Sequence, residues 1–295
     1  MLNLRPPKVL SEPHPFGLAQ RRGRERSGPE FWGVETYDPA GKTRVTQADL
    51  VAGLRDMGVE TGAMLQVHSS LSQLGYVEGG AETVVDALRE VVGPEGTVMV
   101  PTFNHGSADV YDPLTTPSAN GAVTEALRRR PEARRSVHPT HPYAAIGKHA
   151  EDLVAGHLEV DTFSRRSPLG KLADQGGSIL LLGVGMRANT AAHIGETMAR
   201  VHCLGFNQFP RRVRLEDGRV IPAWSVVWRE GPCLIEWEPL ETRLRSRDLI
   251  RDGRIGDGEA HLMKALDVIE TTFALTQELC PRCPTMPAWS RHPTA

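Results

Sequence analysis

The 295-residue chain is 40 % hydrophobic and 24 % charged, with a formal net charge of −2. That balance fits an ordinary folded enzyme and gives no basic face for a nucleic acid. No run of about 18 apolar residues could cross a bilayer, and the opening MLNLRPPKVLSEPHPF is broken by prolines and charges where a secretory segment would be apolar. Nucleic acid and membrane are therefore excluded as expected partners, and the expected location is the cytoplasm. The four cysteines, Cys203, Cys233, Cys280 and Cys283, are too few for a disulfide scaffold in a chain of this length.

Residues 1–45 are rich in Pro, Gly and Arg and carry no apolar period, so they read as an extended arm, docked through Phe31 and Trp32 or covering a homodimer interface. Residues 46–279 read as the folded domain and 280–295 as a tail. Thr46-Gln-Ala-Asp49 has the form of an N-cap with an acidic first turn, and it opens a helix carrying Leu50, Val51, Leu54 and Met57 that stops at Gly58. Met64 to His68 predicts a buried strand that ends at Ser69-Ser70. Glu78-Gly-Gly80 leads into a helix with Val84, Val85, Leu88 and Val91 on one side. The Gly93–Gly96 turn precedes a strand over Thr97–Pro101. A helix near 123–130 and a short strand at 143–146 follow. Ser178 to Gly183 is the clearest buried strand, apolar without alternation, as when both sheet faces are covered. A helix is expected from about Thr190, as its cap, to Val201. Asp217-Gly218 between Val213 and Val220-Ile221 predicts a β-hairpin, and a last helix is expected over about 260–277. Strands alternating with helices indicate a layered α/β/α fold around a central mixed sheet, with the hairpin region added.

Two segments fall at the carboxyl ends of strands, where ligands of α/β sheets bind. One is His68-Ser69-Ser70-Leu71. Its hydroxyls could bind a phosphate or an amide, or could merely cap a turn. Neither serine has the GxSxG setting of a nucleophile, Gly79-Gly80 lacks the GK[ST] of a P-loop, and Gly183-Val-Gly185 lacks the third glycine of a dinucleotide fingerprint. The other segment is Asn189-Thr190-Ala-Ala-His193-Ile-Gly-Glu196. A histidine and a glutamate three apart are neighbours on a helix face. They could be a general base with its partner, acting on an amine or hydroxyl, or a plain structural pair. His138-Pro-Thr-His141 places two histidines in a proline-stiffened loop with no recognised zinc spacing. Cys280-Pro-Arg-Cys283 is a CxxC that, with Cys233 and Cys203, could hold a structural zinc; unrelated cysteines are the alternative.

As an ordered set, Val67-His-Ser-Ser-Leu71, Val77-Glu-Gly-Gly80, Gly93-Pro-Glu-Gly96 to Thr102, Arg135-Ser-Val-His138-Pro139, Ser167-Pro168, Leu180-Leu-Leu-Gly183-Val-Gly185 and Asn189-Thr190-Ala-Ala-His193 resemble the aminoglycoside 3-N-acetyltransferase family from about residue 46 to 275. The resemblance implies an acetyl-CoA-dependent N-acetyltransferase. Its direct transfer to the 3-amino group of an aminoglycoside would use His193 as the catalytic base. It also implies that Ser69, Ser70, Leu71, Thr102, Ser167 and Pro168 line the coenzyme site, where the helix start near Gly80 suits the coenzyme's phosphates. Glu196 or Glu230 could orient His193 in catalysis or hold the cationic amine, with Glu230 preferred for the substrate because it sits on a loop, and His138 is a further expected substrate contact. The family's aminoglycoside-modifying members carry acidic residues after the hairpin. Here that stretch holds Trp228 and Arg229 beside Glu230. The His138-Pro-Thr-His141 run resembles a branch with other substrates. A biosynthetic acyl-CoA N-acyltransferase for a different amine therefore stays open, as does a non-catalytic CoA-binding protein.

Overall fold

The structure, a computed structural model, describes residues 40–201, 208–226 and 237–282. The chain first forms β1 (Arg44–Val45) and then α1 (Gln47–Asp56). Thr46 caps α1 as its sequence predicts: the Asp49 N–H donates to the Thr46 hydroxyl, and the Thr46 N–H donates to the Asp49 carboxylate at 2.8 Å. This reciprocal pair satisfies two backbone donors that the first turn leaves open. There follow β2 (Met64–Ser69), β3 (Tyr76–Val77), α2 (Gly80–Val92), β4 (Thr97–Pro101), α3 (Ala122–Arg129), β5 (Arg134–Arg135), β6 (Tyr143–Gly147), α4 (Ala150–Val154), α5 (Pro168–Asp174), β7 (Ser178–Leu182) and α6 (Ala192–Met198). The hairpin β8 (Gln208–Arg214) and β9 (Val220–Val226) comes next. The described chain closes with α7 (Glu238–Arg245), β10 (Arg251–Ile255), β11 (Gly258–Lys264) and α8 (Ala265–Leu279).

Seven strands make one mixed sheet in the order β10-β11-β7-β2-β4-β6-β5. At its centre β2 runs parallel to both β4 and β7, while β6 and β11 run antiparallel to their neighbours. Side chains alternate across a strand, and each face of the sheet has its own apolar layer. Leu65 and Val67 of β2 join α1, α2 and α3 in one layer. Met99, Ile179 and Leu181 join α4 to α8 in the other. The α/β/α fold expected from the sequence is therefore the fold observed. The β8–β9 hairpin lies outside the main sheet and buries Val213 and Ala223 against Tyr111.

Two expected elements differ. The last helix starts at Ala265, because residues 258–264 form β11, which pairs antiparallel with β7 and with β10. The turn between β10 and β11 depends on Gly256, at φ +59°, where a Cβ would sit 2.1 Å from the Leu74 carbonyl oxygen. The helix expected from Thr190 is only Ala192–Met198, and Thr190 does not cap it. Asn189 Oδ1 instead accepts the Ala191 N–H at 3.2 Å, and the Thr190 hydroxyl faces His68 and Tyr143.

α6 packs on α8 with little room. A Cβ on Gly195 would lie 2.4 Å from the Ile269 carbonyl oxygen and 2.8 Å from Thr272 Cβ. Both are fixed atoms of a buried helix, so a side chain there must separate the helices. Gly195→Ala is expected to lower stability by about 1–3 kcal/mol, as overpacking does. Urea unfolding of the variant checks this, and an unchanged midpoint would contradict the tight crossing.

Candidate active site

The carboxyl ends of β2, β4 and β7 lie side by side. There Ser70 donates its N–H to the Leu182 carbonyl at 3.0 Å, which ties the β2 exit to the β7 exit. Ser69, Ser70 and Leu71 are partly exposed on this edge, and Gly80 opens α2. After β7 the chain makes a short turn over Met186–Ala188 and enters α6. The three-residue spacing on α6 brings His193 Nδ1 to 2.7 Å from Glu196 Oε2. Both residues are buried, at 8 % and 4 % exposure. A carboxylate can only accept, so with Glu196 ionised the His193 Nδ1–H donates to it. Two aromatic rings wall the imidazole: Phe163 at 5.2 Å and the edge of Trp237 at 5.7 Å between centroids. Trp237 also lines a cleft of about 610 Å³ with Gly185, Met186, Arg187 and the α7 residues Glu238, Glu241, Thr242 and Arg245.

A second group of histidines lies beyond Phe163. The rings of His138 and His157 stack at 4.5 Å, and His141 packs on Phe103 and Phe163. The protein fixes their tautomers. His138 Nδ1 accepts the backbone N–H groups of Thr140 and His141, and its Nε2 donates to the Thr162 hydroxyl at 3.0 Å. Ser136 accepts the Tyr143 N–H and donates its hydroxyl proton to His157 Nδ1 at 2.9 Å. Burial disfavours the imidazolium. It holds His157 at about 3 and His68 at about 3, and it sets His138 and His141 well below the ordinary value, with neighbouring imidazoles adding to the effect. Among the described residues no cluster of three or more His, Cys, Asp or Glu side chains could hold a metal ion.

The expected site residues separate into those on the open edge and those held inside. Thr102 is fully buried. Its hydroxyl donates to the Pro142 carbonyl at 3.1 Å and accepts from Arg135 Nε at 2.9 Å. Ser167 is also fully buried and caps α5, accepting the Gly170 N–H and donating to the Ser164 carbonyl, with Pro168 as the first helical residue. These three side chains are engaged in internal contacts of the fold. His138 borders a second cleft of about 340 Å³, but both ring nitrogens are engaged internally, so it cannot hydrogen-bond a substrate in this arrangement. Glu196 contacts His193. Cys280 is half-buried at the end of α8. Glu230, Trp228, Arg229, Cys203, Cys233, Cys283, Phe31 and Trp32 lie outside the described residues. The sequence reading missed Phe163, Trp237 and Arg135. Phe163 and Trp237 stand outside any periodic run that would single them out, while Arg135, on the two-residue β5, stands inside one of the family motifs.

A buried imidazole–carboxylate pair thus lies beside the carboxyl edge of a layered α/β sheet, the edge where such sheets bind ligands. The comparisons make this specific. The sequence profile of the aminoglycoside 3-N-acetyltransferases matches residues 66–277, and the chain belongs to that family of acyltransferases. It is 32 % identical over 236 residues to aminoglycoside N(3)-acetyltransferase IV of a Salmonella species, spanning 77 % of this chain and 85 % of that one. The crystal structure of aminoglycoside acetyltransferase AAC(3)-Xa superposes with a TM-score of 0.74 at 28 % identity, over 80 % of this chain and 93 % of that one. A mutant of AAC(3)-IVa in complex with a gentamicin gives 0.71 at 29 % identity, over 81 % and 90 %. No helix among the described residues is long and apolar enough to cross a membrane.

The buried histidines predict how stability depends on pH. His68 and His157 titrate near 3 when folded and near 6.5 when unfolded. Between those values the unfolded chain binds the extra protons. Their contribution is complete above about 6.5 and is lost as pH falls toward 3, at on the order of 1 kcal/mol per pH unit and per histidine. Urea midpoints should therefore drop between about pH 7.5 and about pH 5. A flat profile would show that these rings are not held neutral.

Proposed function

We propose that the protein transfers an acetyl group from acetyl-CoA to the 3-amino group of an aminoglycoside, with His193 as general base. The observation that carries this reading is the 2.7 Å contact of His193 Nδ1 with Glu196 Oε2, in a chain whose relatives are aminoglycoside N(3)-acetyltransferases. Glu196 fixes the tautomer and stabilises the imidazolium that forms, so Nε2 is the atom that accepts the amine proton. As the amine nitrogen bonds to the thioester carbonyl carbon and the C–S bond breaks, His193 returns that proton to the departing thiolate. An amide and free CoA result, and protons balance. Phe163 and Trp237 shield the imidazole from bulk water.

Ser69, Ser70 and Leu71, on the open edge beside Gly183, are assigned to the coenzyme, whose thioester end then lies toward Trp237 and His193. Glu230 is assigned to the cationic acceptor on sequence alone. The cytoplasm, where acetyl-CoA is made, is the assigned location. The measurement is thiol release with acetyl-CoA and a panel of gentamicin-like and kanamycin-like acceptors. His193→Ala should cut the rate by about a hundredfold or more, with the urea midpoint little changed. Glu196→Gln, which keeps the shape but loses the charge, should fall between that variant and wild type. A His193→Ala rate near wild type sinks the proposed base.

A further inference from the structure

Three buried polar side chains and one partly buried hydroxyl belong to no part of the acid–base pair. Gln66 and His68 stand on β2, Tyr143 opens β6, and Thr190 lies in the turn before α6. Strand alternation turns Gln66 and His68 away from Leu65 and Val67, toward the face whose strand residues include Met99, Ile179 and Leu181. There they form one chain. Gln66 Nε2 lies 2.9 Å from His68 Nε2, Thr190 Oγ1 lies 3.4 Å from that same ring nitrogen, and the Tyr143 hydroxyl lies 3.5 Å from Thr190 Oγ1. An amide N–H can only donate, so His68 Nε2 is the lone-pair nitrogen and the ring is neutral. This orientation gives the Gln66 amide nitrogen a partner and leaves its Oε1 without one.

That unpartnered Oε1 argues against a purely stabilising role. Gln66 is fully buried and Oε1 has no hydrogen-bond partner. A well-packed apolar set of the same volume would carry no such penalty. What the chain does achieve is a connection from the sheet to the helix that bears the proposed base. The Thr190 hydroxyl makes two long contacts, to His68 on β2 and Tyr143 on β6, and its carbonyl accepts the His193 N–H at 3.1 Å. The turn cannot slide along the sheet without breaking one of these contacts.

We infer that the Gln66–His68–Thr190–Tyr143 chain is a positioning device, with His68 as its acceptor, that registers the first turn of α6 on the sheet and so sets His193 toward the acceptor amine. The inference rests on the reading of His193 as base. It makes Thr190 and His68 positioning residues, because they act on the reaction through His193.

The test is steady-state kinetics with acetyl-CoA and an aminoglycoside accepted by the wild-type enzyme, with thermal unfolding recorded for each variant. Thr190→Val keeps the shape and removes the hydroxyl. It should lower kcat by about tenfold to a hundredfold, the scale of a misplaced catalytic group, with KM for both substrates within about twofold. Thr190→Ser should recover most of that loss. Tyr143→Phe removes the far hydroxyl only. It reads the same chain if Thr190→Val unfolds, and should lower kcat with KM unchanged. A wild-type kcat in Thr190→Val, or a Thr190→Ser variant as slow as Thr190→Val, overturns the inference. His193→Ala is measured alongside. If it is inactive while Thr190→Val is normal, the positioning role alone fails. If it keeps its rate, the base assignment fails and the inference falls with it.

Discussion

The active arrangement depends on how closely α6 approaches α8. Glu196 can hold His193 only if both sit on a helix pressed into the second apolar layer, and that layer is tight at Gly195, where a single added carbon would strike the backbone of α8. The helix is short, seven residues, and too short to be stable on its own. Its shape comes from contacts: α8 behind it, Asn189 and the Thr190 turn before it, and the rings of Phe163 and Trp237 beside His193. The sequence Thr-Ala-Ala-His-Ile-Gly-Glu serves that packing, with small residues where the helices meet and the two functional groups one turn apart.

The same face of the sheet carries an unusual load of buried polarity. His68, His138, His157 and Tyr143 are all nearly or fully buried. Nearly every nitrogen and hydroxyl among them is matched to a backbone group or a hydroxyl, and the imidazoles stay neutral because nothing nearby compensates a charge. A layer of this kind lends rigidity and directional contacts to loops that otherwise have little regular structure. His138 shows the consequence. Its proline-rich loop suggests a substrate ligand, but its two nitrogens are used to join the 138–141 turn to Thr162. That join fixes the segment carrying Phe163, whose ring lies against His193.

Most of the scaffold was legible in the sequence, for physical reasons. The capping box at Thr46 and Asp49, the continuous apolar run of β7 and the Asp217-Gly218 turn are local signals, and local physics realises them. The His193–Glu196 pair was legible because helical spacing alone brings the two together. What misled were residues whose local preference was overridden by distant partners. Thr190 has the chemistry of a cap but is claimed by His68 and Tyr143, more than forty positions away. Ala260 to Lys264 has apolar content that a helix could use, but pairing with β7 makes it a strand. Ser167 and Pro168 form the start of α5, with the Ser167 hydroxyl capping the helix. Phe163 and Trp237 had no signal at all, since a wall around a histidine is defined only once the chain has folded.

The proposed reaction is acetylation of a single amine of an aminoglycoside. Mass spectrometry and NMR of the product that the wild-type protein forms from acetyl-CoA and a gentamicin-like or kanamycin-like acceptor test it without an intermediary. A single added acetyl group, on the nitrogen at position 3, is expected. A folded protein that leaves every such acceptor unmodified, or that acetylates a different nitrogen, would contradict it.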